Sequence, residues 1–154
     1  MQMNDVNEAR GISRRRVLQG LASSMVLLAP NVAAAKIDQL LVRHYGDVEI
    51  SQQGITVTLP TLAENGNSVP IKIVYTGVEG EVVKNLKVFA PENPAPLIAE
   101  FDFGAGQKKL EISSRMRLAN SQAVMAVAQT HSGKLYAGAA ETVITLAACV
   151  EPLL

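Results

Sequence analysis

From Val48 to Leu146 the chain repeats one pattern: short runs of alternating apolar and polar residues, separated by turns rich in Gly, Asn and Pro. Alternation at period two sends successive side chains to opposite faces, so each run reads as a strand with one buried face. "VEIS" and "GITVTL" come first, followed by "VPIKIVYTG", where Pro70 argues for a strand beginning or a sheet edge. "VVKNLKVFA" leads into the proline-rich loop Pro91–Pro96, and "LIAEFDFGAG" then sets Phe101 and Phe103 on one face. "QKKLEISSRMRLA", "SQAVMAVAQT" and "LYAGAAETVITL" complete the series, with a hairpin turn expected at His131–Lys134. In "ENGNS" (Glu64–Ser68) the Asn-Gly pair is expected to supply the positive φ of a tight turn. Seven or eight such strands at short spacing predict an antiparallel β-sandwich. The Cys…Trp…Cys pattern of antibody domains is missing, since the chain has one Cys and no Trp. Small residues crowd the last two strands (Ala123, Ala126, Ala128, Ala137, Gly138, Ala139 and Ala140). They permit close approach of another sheet or of another chain.

Ahead of the strands, "KIDQLLVRHYGD" places Ile37, Leu40, Leu41, His44 and Tyr45 at helical spacing, with Gly46 as the stop. This predicts one short N-terminal helix over residues 36–47. The first 35 residues read differently. "SRRRVLQG" (Ser13–Gly20) leads into the weakly apolar "LASSMVLLAP", and Ala33–Ala35 precede Lys36. A basic region, a short apolar stretch and an A-x-A site are the three parts of an export signal, and the arginine pair resembles the twin-arginine pattern. Val17–Ala29 is thirteen residues long and includes two Ser and a Gly, short of the roughly 20 apolar residues of a spanning helix. Export by the twin-arginine route to the periplasm is therefore expected, with cleavage after Ala35 and no membrane segment in the mature form. The expected organisation is a leader at 1–35, a helix at 36–47, a sandwich at 48–146 and a tail at 147–154.

Charge and motifs exclude several function classes. The chain has fourteen basic and fourteen acidic residues; removing the leader takes four Arg, one Asp and one Glu and leaves a net charge of −2. No basic footprint remains for nucleic acid. The two histidines, His44 and His131, fall in the helix and in a turn, with no acidic or Cys cluster at ligand spacing, so no metal site is expected. Phosphate-loop, dinucleotide and G-x-S-x-G fingerprints are missing too, and neither a cofactor nor a catalytic constellation is expected. Glu100 and Asp102 share a strand face, which reads as a solvated face rather than an acid–base pair. Arg115 and Arg117 lie on the same side of one strand; they suit an anion or acidic surface, although an exposed polar face explains them as well.

The one cysteine, Cys149, lies beyond the last strand. In the periplasm, where disulfides form, a sole cysteine stays free, pairs with another molecule or carries an adduct. A thiol on a short tether after a rigid sandwich suits a carrier whose sulfur reaches into another protein's site, acting as thiolate.

"ENGNSVPIKIVY", "LKVFAPENPAPLIAEFDF" and "ISSRMRLANSQAVMAVAQTHSGKLYAGAAETVITLAAC" resemble SoxY, the sulfur-carrier subunit of the periplasmic thiosulfate-oxidising Sox system, over about Ile55 to Cys149. The resemblance implies an immunoglobulin-like sandwich paired with a second small β protein, SoxZ. It implies that Cys149 is the site of covalent substrate attachment. By the same resemblance, a c-type cytochrome would conjugate thiosulfate to the thiol, a manganese hydrolase would release sulfate, and a dehydrogenase would act on the remaining sulfur. The carrier itself is then not an enzyme and holds no metal or cofactor. The family commonly ends Gly-Gly-Cys-Gly-Gly, whereas here Ala147 and Ala148 precede the cysteine and "VEPLL" follows. Alanine narrows the backbone freedom that glycine gives a tether. The alternative expectation is accordingly a divergent subunit that keeps the SoxZ-pairing sandwich without carriage; thiol-linked homodimerisation is a third.

Overall fold

A computed structural model describes residues 32–146. Cys149, the tail and most of the expected leader lie outside the described residues. Helix α1 (Val32–Tyr45) is followed by nine strands: β1 (Ile50–Ser51), β2 (Ile55–Thr58), β3 (Leu62–Asn65), β4 (Val69–Tyr75), β5 (Val83–Phe89), β6 (Leu97–Gln107), β7 (Leu110–Met116), β8 (Gln122–Thr130) and β9 (Leu135–Leu146). The helix starts at Val32, earlier than the expected Lys36, because the alanines at 33–35 are the strongest helix formers. It ends at Tyr45, two residues short of the expected 47 and immediately before the expected glycine stop. Gly46 takes φ 77° and its N–H returns to the Val42 carbonyl at 2.9 Å, the left-handed cap that glycine makes without strain.

The strands form two sheets, β1-β9-β8-β5-β6 and β2-β4-β7, with β3 added alongside β9. Pairing is antiparallel except that β1 and β3 both run parallel to β9. Between the sheets lies a core of aliphatic residues and two tyrosines, with Val69, Leu86, Val124 and Ala126 fully buried. Tyr75, also fully buried, tilts against Tyr136 at 6.1 Å between ring centroids, and its hydroxyl accepts the Val78 N–H at 3.2 Å.

The larger sheet is covered on its outer face as well. Helix α1 lays Leu40, Leu41 and Tyr45 over Phe89, Val127, Leu135 and Ala137, forming a second apolar layer. This explains the run Ala126-Val127-Ala128, in which three consecutive residues are fully buried: β8 has no solvent face there. His44 packs on the Phe89 ring at 5.1 Å.

Three local findings refine the sequence reading. The segment around Asn65-Gly66 is a strand followed by a 3₁₀ turn (Gly66–Ser68), not a turn with positive φ. Asn65 caps it by accepting the Asn67 N–H at 2.9 Å, and Gly66 is buried with its carbonyl held by Leu118 N–H. Pro70 stands near the start of β4, beyond the stretch that β2 pairs, so its missing N–H breaks no ladder with β2. The His131–Lys134 hairpin forms as expected, with Gly133 at φ 89° and Thr130 N–H on the Lys134 carbonyl at 3.0 Å.

Candidate functional site

The last strand carries the chain toward Cys149, and its final turn of geometry decides where the tail begins. The β8–β9 ladder stops at the Gln122–Thr142 pair. Beyond it β3 takes over, pairing Leu62 with Val143 and Asn65 with Leu146. Side-chain bonds reinforce this stretch: Ile144 N–H donates to Ser121 Oγ at 2.9 Å, and Thr145 Oγ1 donates to the Glu64 carbonyl at 3.0 Å. Thus the backbone is tied down to Leu146, and the cysteine follows three residues later.

The same end of the sandwich gathers the loops after β5 and β7. Asn93 joins them: its Oδ1 accepts Ala119 N–H at 2.9 Å and Gln122 Nε2 at 3.0 Å, while its Nδ2 donates to the Arg117 carbonyl at 2.8 Å. Glu92 N–H donates to Gln122 Oε1, and the Glu92 carboxylate pairs with Lys36 of α1 at 2.6 Å. The end of β9 therefore lies at a braced end of the sandwich. On β3 and β9 three large apolar side chains stand in solvent there: Leu62 (56% exposed), Val143 (53%) and Leu146 (69%). Leu62 and Val143 are cross-strand partners on one face, and this exposed apolar pair is a candidate contact surface.

The other residues singled out in the sequence are dispersed. Glu100 and Asp102 do share a face of β6, and both are exposed; Asn85 Nδ2 bridges them at 3.0 and 2.6 Å, and Lys87 pairs with Glu100 at 3.4 Å. Lys87 also sits 5.3 Å from the Tyr45 ring centre, whose hydroxyl is shifted up first by burial and then by Glu100. Arg115 donates to the carbonyl and hydroxyl of Ser68 at 3.3 and 3.2 Å, and Arg117 lies just past the end of β7. His44 and His131 are far apart in role, one packed on the helix side and one in the exposed hairpin. Among the described residues no group of three or more His, Cys, Asp and Glu could hold a metal, and no helix is long and apolar enough to cross a membrane.

One polar cluster escaped the sequence reading. At the opposite end from the tail, buried Glu81 accepts Lys134 Nζ at 2.7 Å and Ser132 Oγ at 2.5 Å. These bonds hold its carboxyl down to about 2, with the Lys134 bond foremost. Nothing in the spacing of residues 81, 132 and 134 announces it, because a long-range turn contact leaves no local signature.

The family model of sulfur oxidation protein SoxY matches residues 42–149, a span that reaches the cysteine. The chain belongs to the SoxY family. Among solved structures it is similar to the sulfur carrier protein SoxY of Chlorobium limicola f thiosulfatophilum, at 33% identity and a TM-score of 0.61, over 73% of this chain and 99% of that one. A protein described as a superoxide reductase from Thermotoga maritima shares the fold alone, at 11% identity and a TM-score of 0.50, over 63% of this chain and 93% of that one. Comparison with curated proteins gives no match. The SoxY relationship accords with a mostly-β sandwich bearing one short N-terminal helix.

Proposed function

We propose that this SoxY-family chain carries sulfur-oxidation intermediates covalently on Cys149 in the periplasm, paired with a SoxZ-like β protein and exported by the twin-arginine route. One observation carries the reading: the family match extends to residue 149, the chain's sole thiol, three residues beyond the last bond-anchored strand position. A rigid sandwich with a short thiol-bearing tail lets partner enzymes reach the sulfur without opening the fold. The exposed pair Leu62 and Val143 offers an apolar surface that a SoxZ-like partner would cover.

In the loading step the Cys149 thiolate and the outer sulfur of thiosulfate form an S–S bond, and two electrons leave to a c-type cytochrome. Hydrolysis then adds water across the bond to the sulfonate sulfur, releasing sulfate and a proton and leaving a persulfide on Cys149. A dehydrogenase would oxidise that remaining sulfur. The chain's own part is to present the thiol, which reacts as thiolate.

Intact mass of the protein isolated from cells oxidising thiosulfate tests the reading. Added sulfur or thiosulfonate mass on Cys149, abolished in Cys149→Ser together with thiosulfate oxidation, is the expected outcome. The second reading, a subunit that keeps the pairing surface but not carriage, draws on Ala147 and Ala148 standing where the family has glycine. It predicts that Cys149→Ser leaves oxidation intact while loss of the sandwich does not.

A further inference from the structure

The two sheets part along one flank, where β7 ends the smaller sheet and β6 ends the larger. A groove of about 590 Å³ opens between them, lined by Ile112 and Met116 of β7 and by Ile98 and Phe101 of β6. The two edges are not alike. The ladder of β6 with β5 slips register twice, and its outer face carries the carboxylates Glu100 and Asp102. Bulges and charges of this kind keep an exposed edge from pairing with another strand. β7 lacks such guards. It pairs β4 from Leu110 to Met116 without a slip, contains no proline, and turns only uncharged side chains inward.

We propose that β7 pairs antiparallel with β7 of a second copy of this chain about a two-fold axis at Ser113, joining the two smaller sheets into one. The register follows from the strand's own sequence. Pairing the whole of Leu110–Met116 with itself puts Ser113 opposite Ser113 and Glu111 opposite the second copy's Arg115. Both charged side chains are exposed on the outer face of the sheet, while the alternate residues Ile112 and Met116 face the core and the groove. The two-fold axis makes this ion pair twice. Sliding the pairing by two residues one way sets Arg115 against Lys109, a like charge. Sliding it the other way leaves only Ile112–Met116 paired and sets Arg115 against Ser113.

Within one chain Arg115 is left without a counter-charge. It donates only to the neutral carbonyl and hydroxyl of Ser68, and no carboxylate pairs with it among the described residues. Glu111 holds Lys72 at 2.8 Å, so in the dimer it stands between that lysine and the second copy's Arg115. On the inner face Leu110 meets the second copy's Met116, which adds apolar cover at the open flank. Lys109 and Arg117 come opposite each other only beyond the strand ends, which confines the ladder to the strand itself. The exposed pair Leu62 and Val143 lies on the far flank, where β9 meets β2, so this dimer leaves it free for a different subunit.

Sedimentation velocity tests this on the purified full chain, kept in reductant so that Cys149, the sole thiol, forms no disulfide. A monomer–dimer equilibrium is expected between micromolar and millimolar concentration. Arg115→Glu and Glu111→Arg each set like charges opposite one another twice, and each is expected to weaken dimerisation about tenfold. The double substitution Glu111→Arg with Arg115→Glu reverses both members of the pair and is expected to restore dimerisation to within about threefold. Both side chains are exposed, and thermal melting by circular dichroism checks that every variant is folded. A chain that stays monomeric throughout overturns the proposal, as does a dimer indifferent to the single substitutions or a double variant as weak as the singles. An added SoxZ-like partner that dissolves the dimer, and whose own binding the single substitutions weaken, assigns the edge to that partner and also overturns it. Absence of a sulfur adduct in cells would refute carriage and leave these results unaltered, so the two readings fail separately.

Discussion

Gly138→Ala asks the sharpest question of the packing. Gly138 lies in β9 facing β2, and an added Cβ there would stand 2.8 Å from the Ile55 carbonyl oxygen and 3.3 Å from Ile55 Cγ2. The nearest obstacle is backbone paired into the β2–β4 ladder, so it cannot swing aside as a side-chain end would. Overpacking of this kind costs about 1–3 kcal/mol. Alanine's lower unfolded-state entropy in a strand offsets about 0.5–1 kcal/mol of that. The net loss is about 1–2 kcal/mol, or roughly 4–8 °C in Tm for a domain of this size. Gly104→Ala is the matched control, because it has an ordinary φ and nothing within 4 Å of the added methyl. It is expected to be neutral or slightly stabilising. Thermal unfolding by circular dichroism on both variants decides. A Gly138→Ala protein that melts at or above the wild-type temperature would refute the steric argument. If that variant instead lost only an association between chains, the small residues of β9 would face a second molecule and not the opposing sheet.

Two further outcomes follow from the polar clusters at either end. Asn93→Ala removes the acceptor of the buried Ala119 N–H and of the Gln122 amide, and is expected to lower stability by about 1–3 kcal/mol in urea unfolding; a change of a few tenths would mean the platform does not depend on it. Glu81 titrates at about 2 when folded and near 4.5 when unfolded, so its stabilising effect is complete above about 4.5 and disappears as pH falls through 2. Lys134, raised above 10.5 by the same pairing, contributes fully below 10.5 and loses its share as pH rises through its folded value. Tm measured from pH 7 to pH 2 is expected to fall less steeply for Glu81→Gln than for wild type, and coincident profiles would refute the assignment.

The sequence by itself determined the strand series, the N-terminal helix and its glycine stop, the 131–134 hairpin and the isolation of Cys149. Each of these is written in neighbouring residues: alternation reports a strand's two faces, and Gly46 or Gly133 reports a local φ. The family was legible for the same reason, since a long block of matching residues needs no tertiary contact to be recognised. Tertiary structure alone decided that β3 would pair parallel to β9, because "LAEN" alternates too briefly to be read as a strand and its partner lies some eighty residues away. It also decided that Val127 is as buried as Ala126, which requires α1 on the outer face and not only a sandwich. Only the meeting of β2 with β9 explains Gly138. A residue's periodicity states which face it shares with its neighbours; what covers that face depends on elements distant in the chain, brought there by packing.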